Sequence, residues 1–212
     1  MVLFSDELSQ YLELTCEPEP ELLRQINRET HLKVLKPRML SGHYQGRVLS
    51  MLSKLIAPRR ILEIGTYTGY ATLCLAEGLS EGGEIHTIEV NPELEEMIRK
   101  NFSLSPLASK IKLHTGDART IIPELNETWD MVFIDADKAN NSTYYDLVFD
   151  KVRSGGLILT DNVLWSGKVL EKGLADKDTS IIDQFNHKVA QDPRVEKLIL
   201  PIRDGVFVIR KN

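Results

Sequence analysis

An α/β fold, built on a seven-stranded and mostly parallel sheet covered on both faces, is what this sequence predicts. Three observations carry that expectation. From residue 60 onward, short apolar runs alternate with stretches of helical apolar spacing, the pattern of strand and crossover helix. Five such runs follow one another, which favours parallel strands buried between two helical layers. Two final runs flank Arg203-Asp204-Gly205, a good hairpin turn that adds an antiparallel pair at one end.

The elements follow in order. Residues 4–57 read as helices, because Leu8, Tyr11 and Leu12, then Leu22, Leu23 and Ile26, recur at helical spacing. Pro18 and Pro20 separate the first helix from the second, and Pro37 ends the second. A third helix is expected over 44–56, with Val48, Leu49, Leu52 and Leu55 on one face, until Pro58 stops it. Strand Ile61-Leu62-Glu63-Ile64 leads into a helix through Leu79, and strand 84–88 into a helix over 92–102. Strand 111–114 precedes a short helix near Ile121, and strand 131–134 a helix over 144–152. Strand 157–160, a helix over 180–190, and the runs 195–200 and 206–210 complete the set. No repeat, low-complexity tract or linker interrupts it. The expectation is one domain over 1–212, with 1–57 a helical extension or lid and 58–212 the core.

Composition narrows the function classes. The 42% apolar and 27% charged residues are ordinary for a globular chain, and the net charge of −5 argues against a broad phosphate-tracking surface. Lys33, Lys36, Arg38 and Arg47 still form a modest basic cluster, read as a solvated helix end. Cys16 and Cys74 form no Cys-x-x-Cys pair, so neither a zinc site nor a disulfide framework is expected. Cys74 reads as a core thiol. The first residues, from Met1 to Glu7, lack the basic flank and apolar run of a signal peptide, and no window is apolar enough for a membrane span. The expected location is the cytoplasm.

In a parallel sheet, ligands bind beyond the carboxyl ends of the strands, where the strand order reverses. After the first strand stands Gly65-Thr66-Tyr67-Thr68-Gly69, whose glycines allow a sharp turn and close approach of backbone to ligand. Tyr67 occupies the second-glycine position of the dinucleotide fingerprint, where it would obstruct a pyrophosphate more than an amino-acid-bearing cofactor. Glu89 ends the second strand 24 residues past Gly65, close to the spacing at which an acid meets ribose hydroxyls. Alone it could simply cap the next helix. Together, turn and acid point to an adenosine-type cofactor. Gly116-Asp117-Ala118 follows the third strand and is placed to line the adenine, although a plain turn explains it about as well.

The fourth and fifth strands end in Asp135-Ala136-Asp137-Lys138 and Asp161-Asn162. If these strands are neighbours about 4.8 Å apart, Asp135 and Asp161 converge at one rim. Two carboxylates so close repel unless a cation lies between them. With Asn162 as a third oxygen donor, the set favours a hard ion: Mg2+ first, Ca2+ or Mn2+ next. The competing explanation is a helix cap and a turn. Lys138, one helical turn past Asp135, would face the same cleft as a candidate general base, or simply form a surface ion pair. Trp165 is either an aromatic wall or a core residue.

At these residues the chain resembles the small cation-dependent O-methyltransferases, the group that includes catechol and caffeoyl-CoA O-methyltransferases. The likeness runs from about Pro37 to the C-terminus. It is strongest in Leu62-Glu63-Ile64-Gly65-Thr66-Tyr67-Thr68-Gly69-Tyr70, Phe133-Ile134-Asp135-Ala136-Asp137-Lys138 and Asp161-Asn162-Val163-Leu164-Trp165-Ser166-Gly167. The resemblance implies a Rossmann-like class I methyltransferase fold. It implies S-adenosylmethionine bound through 63–70, Glu89 and Ala118, and a metal on Asp135, Asp161 and Asn162. It also implies Lys138 as base, with Met39 in a segment covering donor and substrate. Where this chain has Ala71 the family often has a hydroxyl residue, and where 174–179 stand plant members carry an Arg-rich stretch. The expected substrate is a small aromatic diol of the catechol type, such as caffeic acid, and a homodimer is expected. Two other functions stay open: methylation of a hydroxylated uridine in tRNA at the same site, and, more remotely, a nicotinamide oxidoreductase or silent nucleotide-binding module.

Overall fold

The computed structural model describes residues 5–171 and 176–212. Residues 1–4, which open the segment read for a leader, and Leu174 and Ala175 of the arginine-free stretch lie outside them. Helices α1 (Asp6–Thr15), α2 (Glu21–Lys33) and α3 (Gly42–Ile56) precede β1 (Arg60–Ile64), with a 3-10 turn over Pro37–Met39 between α2 and α3. Then come α4 (Tyr70–Ala76), β2 (Glu84–Glu89), α5 (Glu95–Ser103), β3 (Ile111–Thr115) and α6 (Ala118–Glu124). The chain continues through β4 (Trp129–Ile134), α7 (Asn141–Phe149), β5 (Val152–Asp161) and α8 (Lys177–Gln191) to β6 (Val195–Leu200) and β7 (Val206–Lys211).

The seven strands form one sheet in the order β3-β2-β1-β4-β5-β7-β6. The first five are parallel, and β7 runs antiparallel between β5 and β6. The period-2 alternation of each strand divides the core. Leu62, Ile64, Val132, Ile134 and Ile158 face a cluster with Tyr145, Val148, Phe185 and Val189. Ile61, Ile85, Met131, Phe133 and Leu159 face a second cluster, which also takes in Leu23 and Ile26 of α2, Leu49 of α3, and Cys74. The N-terminal helices thus share the core of one sheet face.

Several boundaries differ from expectation for local reasons. The last parallel strand begins at Val152, not 157, and α7 ends at Phe149, not 152. Gly155 (φ 73°) lies inside that strand, and the register slips between Trp129 and Met131, so in its polar first half only Val152 has a register partner. Helix α4 stops at Ala76 rather than Leu79; a Cβ at Gly78 would collide with the backbone of α3 at Ser53. Helix α8 begins at Lys177 because Asp176 caps it, accepting from the Thr179 N–H at 2.8 Å. Leu8, Tyr11 and Leu55, apolar positions at helical spacing, are exposed. Cys74 is fully buried as expected. Among the described residues no helix is long and apolar enough to cross a membrane.

Candidate active site

Strand order reverses between β1 and β4, and the candidate residues gather at that switch point. At the end of β1, the N–H groups of Gly65 and Thr66 both donate to the Ile88 carbonyl, at 2.9 and 3.2 Å. Gly65 (φ 102°) crosses so close to the Asp135 carbonyl that a Cβ would collide with it. Only glycine fits there. Tyr67 adopts φ 53°, and Gly69 (φ 85°) leads into α4 beneath the Phe102 ring. The Glu89 carboxylate is nearly buried and accepts from the Tyr67 N–H at 2.7 Å and the Asn91 N–H at 2.9 Å. Turn and acid are therefore one unit.

Glu63 lies beneath that unit. It is fully buried and accepts hydroxyl protons from Thr72 and Thr87, while its other carboxylate oxygen has no partner. Burial outweighs those two hydrogen bonds and pushes its pKa up to about 8. Ala71 is buried in the first turn of α4. At the end of β3, the Gly116 N–H donates to the Glu89 carbonyl at 2.8 Å. Asp117 caps α6 through the Arg119 N–H at 2.8 Å and also pairs with the Arg119 side chain, with Ala118 buried behind it.

Asp135 and Asp161 follow Ile134 and Thr160, which are register partners on the adjacent strands β4 and β5. The Asp135 N–H is anchored by the Ile64 carbonyl at 2.9 Å, and Lys138 Nζ lies 3.0 Å from its Oδ1. Asp161 is 4% exposed, accepting from Gln45 Nε2 and the Asn162 N–H, both at 2.8 Å. Burial first, and the neighbouring Asp135 charge second, raise its pKa to about 6. Asn162 sits at φ 61°. The rim thus holds two carboxylates and an amide, with one lysine engaging only the first carboxylate. An oxygen-only donor set with surplus negative charge fits a hard divalent cation. Among the described residues no group of three or more His, Cys, Asp or Glu side chains converges, so the donor set rests on Asn162 as its third member.

These residues line a chamber of about 720 Å³ together with Met39, Tyr67 and Trp165. Glu63, Gly65, Gly69, Ala71, Glu89, Asp117 and Ala118 are not in its lining; they form the adjoining rim and its support. Met39 is 57% exposed, and the neighbouring Lys36 carbonyl accepts from the Tyr67 hydroxyl at 2.9 Å. Trp165, at φ 47°, is half-buried beside the aspartates. A second chamber, of about 780 Å³, lies beneath α1 and α2 and shares Pro37, Arg38, Arg203 and Asp204 with the first.

Two residues of the site lack a local signal in the sequence. Gln45 reaches Asp161 across 116 positions, and Arg203 reaches the Leu40 carbonyl across 163. The residues of the basic cluster divide between ion pairs and the chamber wall. Arg47 pairs with Glu77 at 2.8 Å and Lys33 with Glu29 at 3.1 Å, while Lys36 and Arg38 line the chamber.

The sequence profile of the O-methyltransferase family matches residues 12–212. The chain is 34% identical to caffeoyl-CoA O-methyltransferase 1 of Arabidopsis thaliana, covering 99% of this chain and 86% of that protein. It is 35% identical to the caffeoyl-CoA O-methyltransferase of Petroselinum crispum, over 99% of this chain and 92% of that one. Among solved structures, the Bacillus cereus O-methyltransferase in complex with SAH superposes with a TM-score of 0.90 at 30% identity, covering 97% of both chains. The SAH-bound Podospora anserina methyltransferase PaMTH1 gives a TM-score of 0.90 at 28% identity, over 100% of this chain and 98% of that one.

Proposed function

This chain belongs to the O-methyltransferase family, and from that premise we propose that it moves a methyl group from S-adenosylmethionine to one hydroxyl of a compact aromatic vicinal diol. The observation that carries the reading is the chamber in which Asp135, Asp161, Asn162, Lys138 and Trp165 meet. The relatives that bind SAH or act on caffeoyl-CoA support the donor and the aromatic acceptor.

In this mechanism the glycine turn lets the backbone of 65–69 approach the donor, and Glu89, held by the Tyr67 and Asn91 amides, receives the ribose hydroxyls. Asp117 and Ala118 border the adenine, with Ala71 at the start of α4 beside the donor's amino-acid end. Glu63 acts from below, tying α4 to β2 through Thr72 and Thr87. Asp135, Asp161 and Asn162 would hold a divalent cation, Mg2+ in the first instance. Such an ion, when bound, supplies an anchor for the diol and makes its hydroxyl more acidic. Lys138 takes the hydroxyl proton at Nζ from its neutral amine form, which a cation held on Asp135 in place of the present ion pair would favour. Trp165 and Met39 hold the aromatic ring and exclude water, so that the oxygen faces the sulfonium methyl. Attack there neutralises charge, and most of the acceleration comes from holding two reactants in line.

The test is transfer of labelled methyl from S-adenosylmethionine to caffeic acid, run in parallel with Mg2+ and with EDTA. Transfer that stops in EDTA is the expected result. Transfer that persists in excess chelator removes the metal from the reading. Absence of transfer, with donor binding intact, removes the catechol-type acceptor and turns the search to hypomodified tRNA.

A further inference from the structure

We propose that Arg203 is a positioning residue that sets the acceptor size of the site. Its guanidinium ties segment 38–41 to the β6–β7 turn and walls the catalytic chamber off from the chamber beneath α1 and α2. Arg203 Nη1 donates to the carbonyls of Leu40 (2.5 Å) and Ser41, and Nη2 donates to that of Arg38 (3.2 Å). A planar fork can satisfy three main-chain acceptors in this way; a lysine, a point donor on a flexible stem, matches it poorly. The same turn holds the opposite wall of the cleft. Asp204 accepts from the Ser166 N–H at 3.0 Å, and its carbonyl accepts from the Leu164 N–H at 2.7 Å. The segment bearing Met39 and the loop bearing Trp165 are thus fastened to neighbouring residues of one hairpin.

The backbone gives an independent sign. Arg203 sits at φ 49°, a left-handed conformation that is unfavourable for a non-glycine residue. Such strain persists where the surroundings over-determine it, and it clusters at functional sites. Here the contacts of the side chain account for an arginine in a glycine-favouring position. Arg203 also belongs to the lining of both chambers, about 720 and 780 Å³, so its side chain stands between them. Without it, the two spaces would communicate past Arg38.

The inference deepens the functional reading above and rests on it for the acceptor. The variant of choice is Arg203→Gly, because glycine accepts this φ without strain and deletes the tie while sparing the fold. The first readout is trypsin cleavage after Arg38, with and without SAH, which needs no acceptor. The wild type should be protected by SAH, and the Gly variant should be cut about tenfold faster in its presence, the effect of losing about one net hydrogen bond's worth of closure. Its melting temperature should equal or exceed that of the wild type, and Arg203→Lys should fall between the two in cleavage rate. The second readout is the ratio of kcat/KM for caffeoyl-CoA to that for caffeic acid, which should rise in the Gly variant through a lower KM for the longer acceptor. SAH protection equal to wild type overturns the positioning role. A melting temperature several degrees lower makes Arg203 a structural tie and also overturns it. An unchanged ratio overturns the size selection. If the wild type methylates neither acceptor, the diol reading fails, and the cleavage arm still decides for or against the tie.

Discussion

At the N-terminal ends of β1, β4 and β5, Asp130 accepts from the N–H groups of Arg59 (2.7 Å) and Arg60 (2.9 Å) and pairs with the Arg153 guanidinium at 2.5 Å. At the C-terminal ends of the same strands, Asp135 and Asp161 follow register partners, and Lys138 pairs with Asp135 alone. The backbone follows the same division. Of the six non-glycine residues with positive φ among the described residues, Tyr67, Asn162, Trp165, Ser166 and Arg203 border the two chambers, and only Ala57, at a helix end, does not. One end of the sheet satisfies its charges and relaxes its backbone, while the other does neither. The difference separates what holds the fold from what the site needs for chemistry.

Substitutions at the two ends should therefore act on different observables. The largest effect is expected for Asp161→Asn, which removes charge from a nearly buried carboxylate while keeping an acceptor for Gln45. Methyl transfer should fall about a thousandfold, the equivalent of roughly 4 kcal/mol. Thermal unfolding should occur at the same temperature or higher, because a buried like-charge pair is relieved. A variant that instead melts early while retaining activity would erase the distinction between the ends. Asp130→Ala comes next. It should cost about 2 kcal/mol of stability in urea titration by leaving two main-chain N–H groups and Arg153 without their acceptor, with kcat/KM within threefold of wild type.

The smallest effect concerns His86 of β2 and His114 of β3, whose rings stack at 5.2 Å and share a 3.1 Å contact. Burial, and for His86 also the charge of His114, lowers both pKa values. The folded chain therefore holds them neutral, and the unfolded chain binds more protons once pH falls below about 6.5. The contribution of these two histidines is complete above that pH and declines as pH falls toward their depressed folded-state values. The decline should come above the range in which carboxylates such as Glu77, whose pKa is lowered chiefly by its Arg47 hydrogen bond against opposing burial, begin to titrate. Glu63 and Asp161, whose raised pKa values make the folded chain bind protons first, act with the opposite sign in this window. The histidine part is therefore read as a difference: between pH 8 and 5 the unfolding free energy of the wild type should fall relative to that of His86→Gln.

Much of this architecture was legible because its causes are local. Apolar runs of strand length set the sheet, and neighbouring strands of equal register carry Asp135 and Asp161 to one rim without further information. The glycine turn and Glu89 were readable for the same reason, since each ends a strand. What escaped depends on distant partners. The polar first half of β5 shows no apolar run because Gly155 and a register slip interrupt it. Leu8, Tyr11 and Leu55 have helical spacing but find no facing surface. Gln45 and Arg203 belong to the site only because a helix and a hairpin far apart in sequence meet over it.

The position of β7 has a consequence for biosynthesis. It lies between β5 and β6, so β6 has no neighbour in the sheet until β7 has been made, and β5 keeps an open edge until then. Val206 of β7 is also the register partner of Asp161. A nascent chain can therefore assemble five parallel strands and the donor-side turn while the acceptor side is still unfinished. Binding competence for the two reactants would arise in sequence, and the cleft would become productive only after the ribosome has passed the seventh strand.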